Sequence, residues 1–219
     1  LVQIFTILVK FITQTIFIKY LGKEYLGLNG RFTNVLSVLS FAELGVGSAI
    51  VFSLYAPLAK RDENSISALM NLFRKAYNAI GIIIAFAGVV MIPVLPYLIK
   101  DYNDLTHVSL YFVLYISNSV VSYFFTYKRS LLIADQKEYI SALNQLKYTA
   151  LQVVLQVAVL FFFHSYAYYL IVAIITTLLS NFTISRKVDR LYPYLSKHRD
   201  LKVDTKSIHI IRNNIVGMV

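Results

Sequence analysis

The sequence predicts an all-α, polytopic membrane protein of six spanning helices, and three observations carry that prediction. Hydrophobic residues make up 58% of the 219-residue chain and charged residues only 15%, which leaves too little polar surface for a soluble domain of this size. Apolar runs of about 20 residues, the length that crosses a bilayer core, recur six times. The connections between them are short, and lysine and arginine gather on alternate connections, as they do in membrane proteins of fixed orientation.

The expected spans are residues 1–21, 32–56, 76–99, 106–127, 140–163 and 166–185. The first stops at Tyr20-Leu21-Gly22, and KEYLGLNGR (23–31), with Gly27 and Asn29-Gly30, reads as an outer loop. Pro93 and Pro96 are expected to kink or end the third span. His164-Ser165-Tyr166 leaves room only for a tight hairpin between the fifth and sixth. Residues 60–77 carry polar capping residues (Asp62, Asn64, Ser65) before an apolar stripe, so a short amphipathic helix at the inner interface is expected there. The six spans form a lobe over 1–186, followed by a basic linker (187–207) and the start of a seventh helix (208–219). The chain is expected to be a piece of a longer protein, cut inside a segment at each end.

The basic residues within 60–75, 128–138 and 186–207 fall on one side of this arrangement, and that side is expected to be cytoplasmic in a cell membrane. Lys19, Lys23, Arg31 and Lys100 fall on the other. The net charge of +10 is thus accounted for by topology, and no nucleic-acid partner is expected. The chain has no cysteine and its four histidines show no ligand spacing, so no metal and no cofactor is expected.

Ionisable residues within a span are costly and mark cavities or partners. Counting from the 23–31 loop at ~1.5 Å per residue puts Lys10 and Glu43 both about 15–18 Å below the outer surface, near the midplane and on neighbouring helices. They could pair. Glu43 is then either a static partner of Lys10 or a protonatable switch: substrate that takes up the Lys10 charge leaves Glu43 more ready to bind a proton. Gly45, Gly47 and Ala49 beside it let a neighbouring helix approach closely. Gln3, Thr6, Lys10, Thr13 and Gln14 share one arc of the first span. Ser141, Gln145, Tyr148, Gln152 and Gln156 form a stripe along the fifth, and shorter polar groups mark the fourth and sixth. Such stripes either line a cavity or join helices by hydrogen bonds. Lys147 lies off the stripe, within reach of the interface.

YLGKEYLGLNGRFTNVLSVLSFAELGVGSAIVFSLYAPLAKRDE (20–63), continued by ALMNLFRKAY (68–77), resembles the N-terminal region of bacterial polysaccharide flippases, the O-antigen and capsule repeat-unit exporters of the MOP superfamily. The resemblance implies a two-lobe transporter of which this chain is the N-terminal six-helix lobe, with the C-terminal lobe its partner. It further implies alternating-access movement of an undecaprenyl-pyrophosphate-linked oligosaccharide across the cytoplasmic membrane. Cationic residues of the cavity would meet the pyrophosphate, a part open here to Lys10 and to Arg31 at the outer mouth. Many relatives carry arginine where this chain has Gln14. The candidate cavity residues are therefore Lys10, Gln14, Arg31, Glu43 and Gln152, with Glu43 the candidate for ion coupling. No catalytic cluster is present and no enzyme activity is expected. A cation-coupled drug antiporter of the same superfamily and a membrane-embedded enzyme of the polysaccharide pathway are the alternatives.

Overall fold

The computed structural model describes residues 2–39, 46–99, 105–197 and 201, the side chains of 2–10, 38, 39, 46 and 197 excepted. Every regular element among them is helical: α1 (Val2–Leu21), α2 (Lys23–Leu39), α3 (Val46–Lys60), α4 (Glu63–Met91), a 3-10 turn (Ile92–Val94), α5 (Leu95–Leu98), α6 (Val108–Tyr123), α7 (Thr126–Ala134), α8 (Glu138–Phe163), α9 (Tyr166–Leu191) and α10 (Tyr194–Lys197). Four stretches are long and apolar enough to cross a membrane: Glu63–Leu98, Val108–Ala134, Glu138–Phe163 and Tyr166–Leu191. The protein is an all-α membrane protein on this ground.

The described spans number four rather than the six expected, and the difference lies in the first 60 residues. Segment 23–31 is not a loop, because α2 starts at Lys23 and carries Glu24, Asn29 and Arg31 within it. Only Gly22 separates it from α1. Gly22 has φ +90, a left-handed conformation that glycine adopts at little cost, and its N–H donates to the Ile18 carbonyl at 3.0 Å. The expected span 32–56 therefore falls on the end of α2, on residues outside the description, and on α3. With 17 and 15 residues, α2 and α3 are each too short to count alone.

The later spans differ in extent rather than in existence. The amphipathic helix expected over 60–77 is continuous with the third span, giving the 29-residue α4. Asp62 caps it: Oδ1 accepts the Ser65 N–H at 3.1 Å, and Oδ2 accepts the Ser65 hydroxyl. At the other end Pro93 turns α4 into the 3-10 segment. The fourth span breaks at Phe124-Phe125, where Phe125 has φ 68, and resumes as α7. The α8–α9 link is the two residues 164–165, as tight as expected. Helix α9 runs to Leu191, so the first residues of the expected linker are helical.

The chain divides into two compact units. One comprises Leu1–Ser40, Ile82–Ser122 and Gln145–Ser180; the other comprises Phe41–Gly81, Tyr123–Asn144 and Asn181–Val219. The core of the first unit is aromatic. Tyr166, 1% exposed, takes the edges of Phe17 (5.7 Å between centroids) and Tyr111 (4.9 Å), tying α1, α6 and α9 together. Its hydroxyl donates to Asn29 Oδ1 on α2 at 3.2 Å. Thr33 of α2 and Tyr115 of α6 share a hydrogen bond of 2.8 Å. Gly88 of α4 meets Ile116 of α6 so closely that a Cβ there would strike the isoleucine side chain.

In the second unit α3 packs on α7. Ala49, Ile50 and Leu54 of α3 are buried, as are Leu131 and Leu132 of α7. A Cβ at Gly47 would lie 3.3 Å from the Tyr77 hydroxyl, so the small residue permits the close approach of α3 and α4.

Candidate functional site

The second unit holds the densest charged cluster among the described residues. Helix α7 brings Lys128 and Arg129 next to one another, and each finds partners on a different helix face. Lys128 Nζ donates to Asp189 of α9 at 2.7 Å and to Ser185, one turn earlier on α9, at 2.7 Å. The lysine side chain is 11% exposed, whereas Asp189 is 45% exposed. The pair thus joins a buried cation to a half-solvated carboxylate. Arg129 donates to Ser141 of α8 at 3.0 Å and to Asn181 Oδ1 of α9 at 3.3 Å. Asn181 in turn donates to the Phe124 carbonyl at the break before α7 (3.1 Å), and Thr183 donates to Asn144 at 3.0 Å. Lys128 and Arg129 stand in the first turn of α7, just after the break at Phe124-Phe125.

A second group closes the turn between α7 and α8. Asp135 accepts from the Tyr192 hydroxyl at 2.6 Å and from Lys137 at 2.7 Å, and Lys137 lies over the Tyr192 ring at 5.2 Å. Burial pushes the Asp135 carboxyl up, but the hydrogen bonds from Lys137 and Tyr192 outweigh it and hold the group below the usual carboxylate value. Burial and the Asp135 carboxylate push the Tyr192 phenol well up. Burial raises Tyr194 to about 12.

Two cavities accompany these elements. One, of about 350 Å³, lies within the second unit between α4, α7, α9 and α10, with Ser67, Arg74, Lys128, Ser185, Arg186 and Asp189 among its walls. The other, of about 380 Å³, lies in the first unit; Lys23, Glu24, Gly27, Leu28 and Arg31 of α2 line it together with Ile99 and Leu105.

The residues singled out from sequence fare differently. Arg31 is half-buried at the wall of the first-unit cavity, beside Lys23 and Glu24. Gln14 is exposed on α1, whereas its neighbour Thr13 is buried. Gln152 is half-buried on α8. Neither Gln14 nor Gln152 lines the two cavities. The Lys10 side chain and Glu43 lie outside the described residues, and so does their pairing. In the α8 stripe, Gln156 is buried and donates to the Tyr169 carbonyl of α9 at 3.2 Å, and Ser141 receives Arg129. At these two positions the stripe joins helices. Lys147 is exposed beside Tyr148.

Sequence reasoning missed the Lys128–Asp189 pair and the Arg129 network. One signal was available: Asp189 is the only acid between Arg186 and Arg199, in a run otherwise basic. No protein-family model, curated protein or solved structure matches the chain.

Proposed function

We propose that the chain is the N-terminal part of a flippase that moves an undecaprenyl-pyrophosphate-linked oligosaccharide from the inner to the outer leaflet of a bacterial cytoplasmic membrane. The observation that carries the reading is the stretch 20–63 with 68–77, whose sequence resembles that transporter family and which runs through α1–α4 of an all-α membrane protein. On this reading six spans make the lobe, a second lobe completes the cavity, and Lys10 and Arg31 meet the anionic part of the substrate. Glu43 is the partner of Lys10 or the ion-coupling group. Gln14 and Gln152 face the cavity that the second lobe closes, in keeping with their incomplete burial here.

The distribution of charge supports the orientation. The basic segments 60–75, 128–138 and 186–197 belong to the second unit, whereas 23–31 belongs to the first. Segments that the positive-inside rule assigns to one side thus also cluster together in the fold.

The test uses the full-length gene. Deletion in its host is expected to leave complete lipid-linked repeat units in the membrane, and re-expression is expected to clear them. If surface polymer is still made and no lipid-linked units build up, the reading fails in favour of a cation-coupled drug antiporter.

A further inference from the structure

We propose that the cavity between α4, α7, α9 and α10 is a binding site for a phosphate group at the membrane interface. The inference rests on the second unit alone and not on the flippase reading.

Three cations converge on the cavity from three helices: Arg74, Lys128 and Arg186. The single carboxylate among its walls, Asp189, is already held by Lys128 at 2.7 Å. Among the described residues neither arginine is ion-paired. The Arg186 guanidinium carbon lies 4.3 Å from the centre of the Phe182 ring, a cation–π contact that restrains the side chain at the cavity wall. A planar, pre-set guanidinium fork suits the oxygens of a phosphate.

The second observation is independent of charge. Ser67 is 2% exposed on α4 at the cavity wall, and its hydroxyl has no hydrogen-bond partner among the described residues. A buried hydroxyl without a partner costs free energy. A phosphate oxygen within the cavity would accept its hydrogen bond and remove the deficit. The volume of about 350 Å³ is sufficient for a phosphate and the first atoms of whatever bears it.

The position along each helix favours a lipid as the bearer. Arg74 precedes the apolar run of α4 (AIGIIIAFAGVV), Lys128 follows that of α6, and Arg186 follows that of α9. Each cation thus flanks the apolar run of its segment, the position from which a long basic side chain reaches lipid headgroups. The same oxygens could come from a free phosphate compound, and the experiment separates the two.

The full-length protein in neutral detergent is titrated with phosphatidylglycerol, with phosphatidylcholine and with inorganic phosphate, and bound ligand and thermal midpoint are read by native mass spectrometry and thermal unfolding. Retention of phosphatidylglycerol over phosphatidylcholine is expected, with affinity falling about tenfold in Arg74→Gln and again in Arg186→Gln. Ser67→Ala keeps the charge and is expected to weaken binding severalfold, so the site remains testable if an arginine variant does not fold. Lys147→Gln, exposed on α8 away from the cavity, should change nothing. Binding of inorganic phosphate that follows the same variants would make the source a soluble phosphate. Retention of neither phosphatidylglycerol nor inorganic phosphate, or binding that Arg74→Gln, Arg186→Gln and Ser67→Ala all leave intact, overturns the proposal.

Discussion

The two units are held by different chemistry although they share three helices. Helices α4, α8 and α9 each pass from one unit to the other. Where they belong to the first unit, ring-on-ring contacts such as those of Phe17, Tyr111 and Tyr166 form the core, with neutral hydrogen bonds such as Gln156 to Tyr169 beside them. Where they belong to the second, the contacts are charge-assisted hydrogen bonds from Lys128, Arg129 and Asp189. In α9 the change falls between Thr176, whose hydroxyl turns back to its own helix at Val172, and Asn181, which bonds to another segment. The difference teaches where each kind of contact is useful. Within an apolar run a helix gains chiefly by close packing, and its hydroxyls bond back to their own helix, as at Thr176, or to one neutral neighbour, as at Thr33 and Tyr166. At the ends of the run, water and headgroups compete for polar groups, and a buried cation persists only with several partners of fixed geometry.

The largest expected effect breaks the aromatic unit. Tyr166→Ala removes a fully buried ring with contacts to α1 and α6 and leaves the Asn29 amide oxygen without its donor. Denaturant unfolding in detergent should show a loss of about 3 kcal/mol or more. Tyr166→Phe keeps the ring and removes only the hydroxyl, so it should lose under about 1 kcal/mol. If the two variants lose equally, the hydrogen bond and not the rings holds that unit.

The polar unit should be weaker to the comparable cut. Lys128→Met removes the cation from Asp189 and Ser185, at a cost of about 2 kcal/mol in the same assay. The cost stays moderate because Asp189 keeps half its contact with water. The double variant Lys128→Met, Asp189→Leu should recover part of the loss, since no carboxylate is then left unpaired. A double variant as unstable as the single one would mean that Lys128 acts through packing.

The contrast also explains what was legible in the sequence. Spans over α6, α8 and α9 were readable because an unbroken apolar run has few other uses, and the Pro93 stop was readable because proline cannot continue the hydrogen-bond ladder. The helical state of 23–31 was not. Asn29-Gly30 is a strong turn signal, and Gly27 and Gly30 each disfavour a helix by about 1 kcal/mol. Nothing crowds either glycine, so packing does not require them. What holds the segment helical is tertiary: Leu28 and Phe32 enter the aromatic core and Asn29 accepts from Tyr166. Of the candidate site, Arg31 was found beside a cavity, but the partners of Lys128 lie 57 and 61 residues away, beyond any local pattern. Polar residues in the α8 stripe were visible as a face; which of them join helices, as Gln156 does, depends on the neighbour.

The smallest expected effect sharpens the polar side of the comparison, because it isolates one cluster by pH. Asp135 is held below its ordinary value of 3.8 by Lys137 and Tyr192. A carboxylate with a depressed folded value contributes stability that is fully present above the unfolded value and is lost as pH falls through the folded one. Tyr192 is shifted the other way: burial and Asp135 raise it, so its contribution is present below the ordinary phenol value of 10.0 and is lost as pH rises beyond that. The pair thus stabilises the α7–α8 turn across the neutral range and fails at both ends. Tyr192→Phe removes the donor to Asp135 while the ring still supports Lys137. Thermal midpoints measured from acid to alkaline pH should fall by the equivalent of about 1 kcal/mol in the variant near neutrality. Wild type and variant should converge below pH 3.8, where the unfolded carboxylate protonates first and the folded one follows. A difference that persists well below pH 3.8 would show that Tyr192 contributes by packing alone, and the turn would then belong with the aromatic chemistry of the first unit.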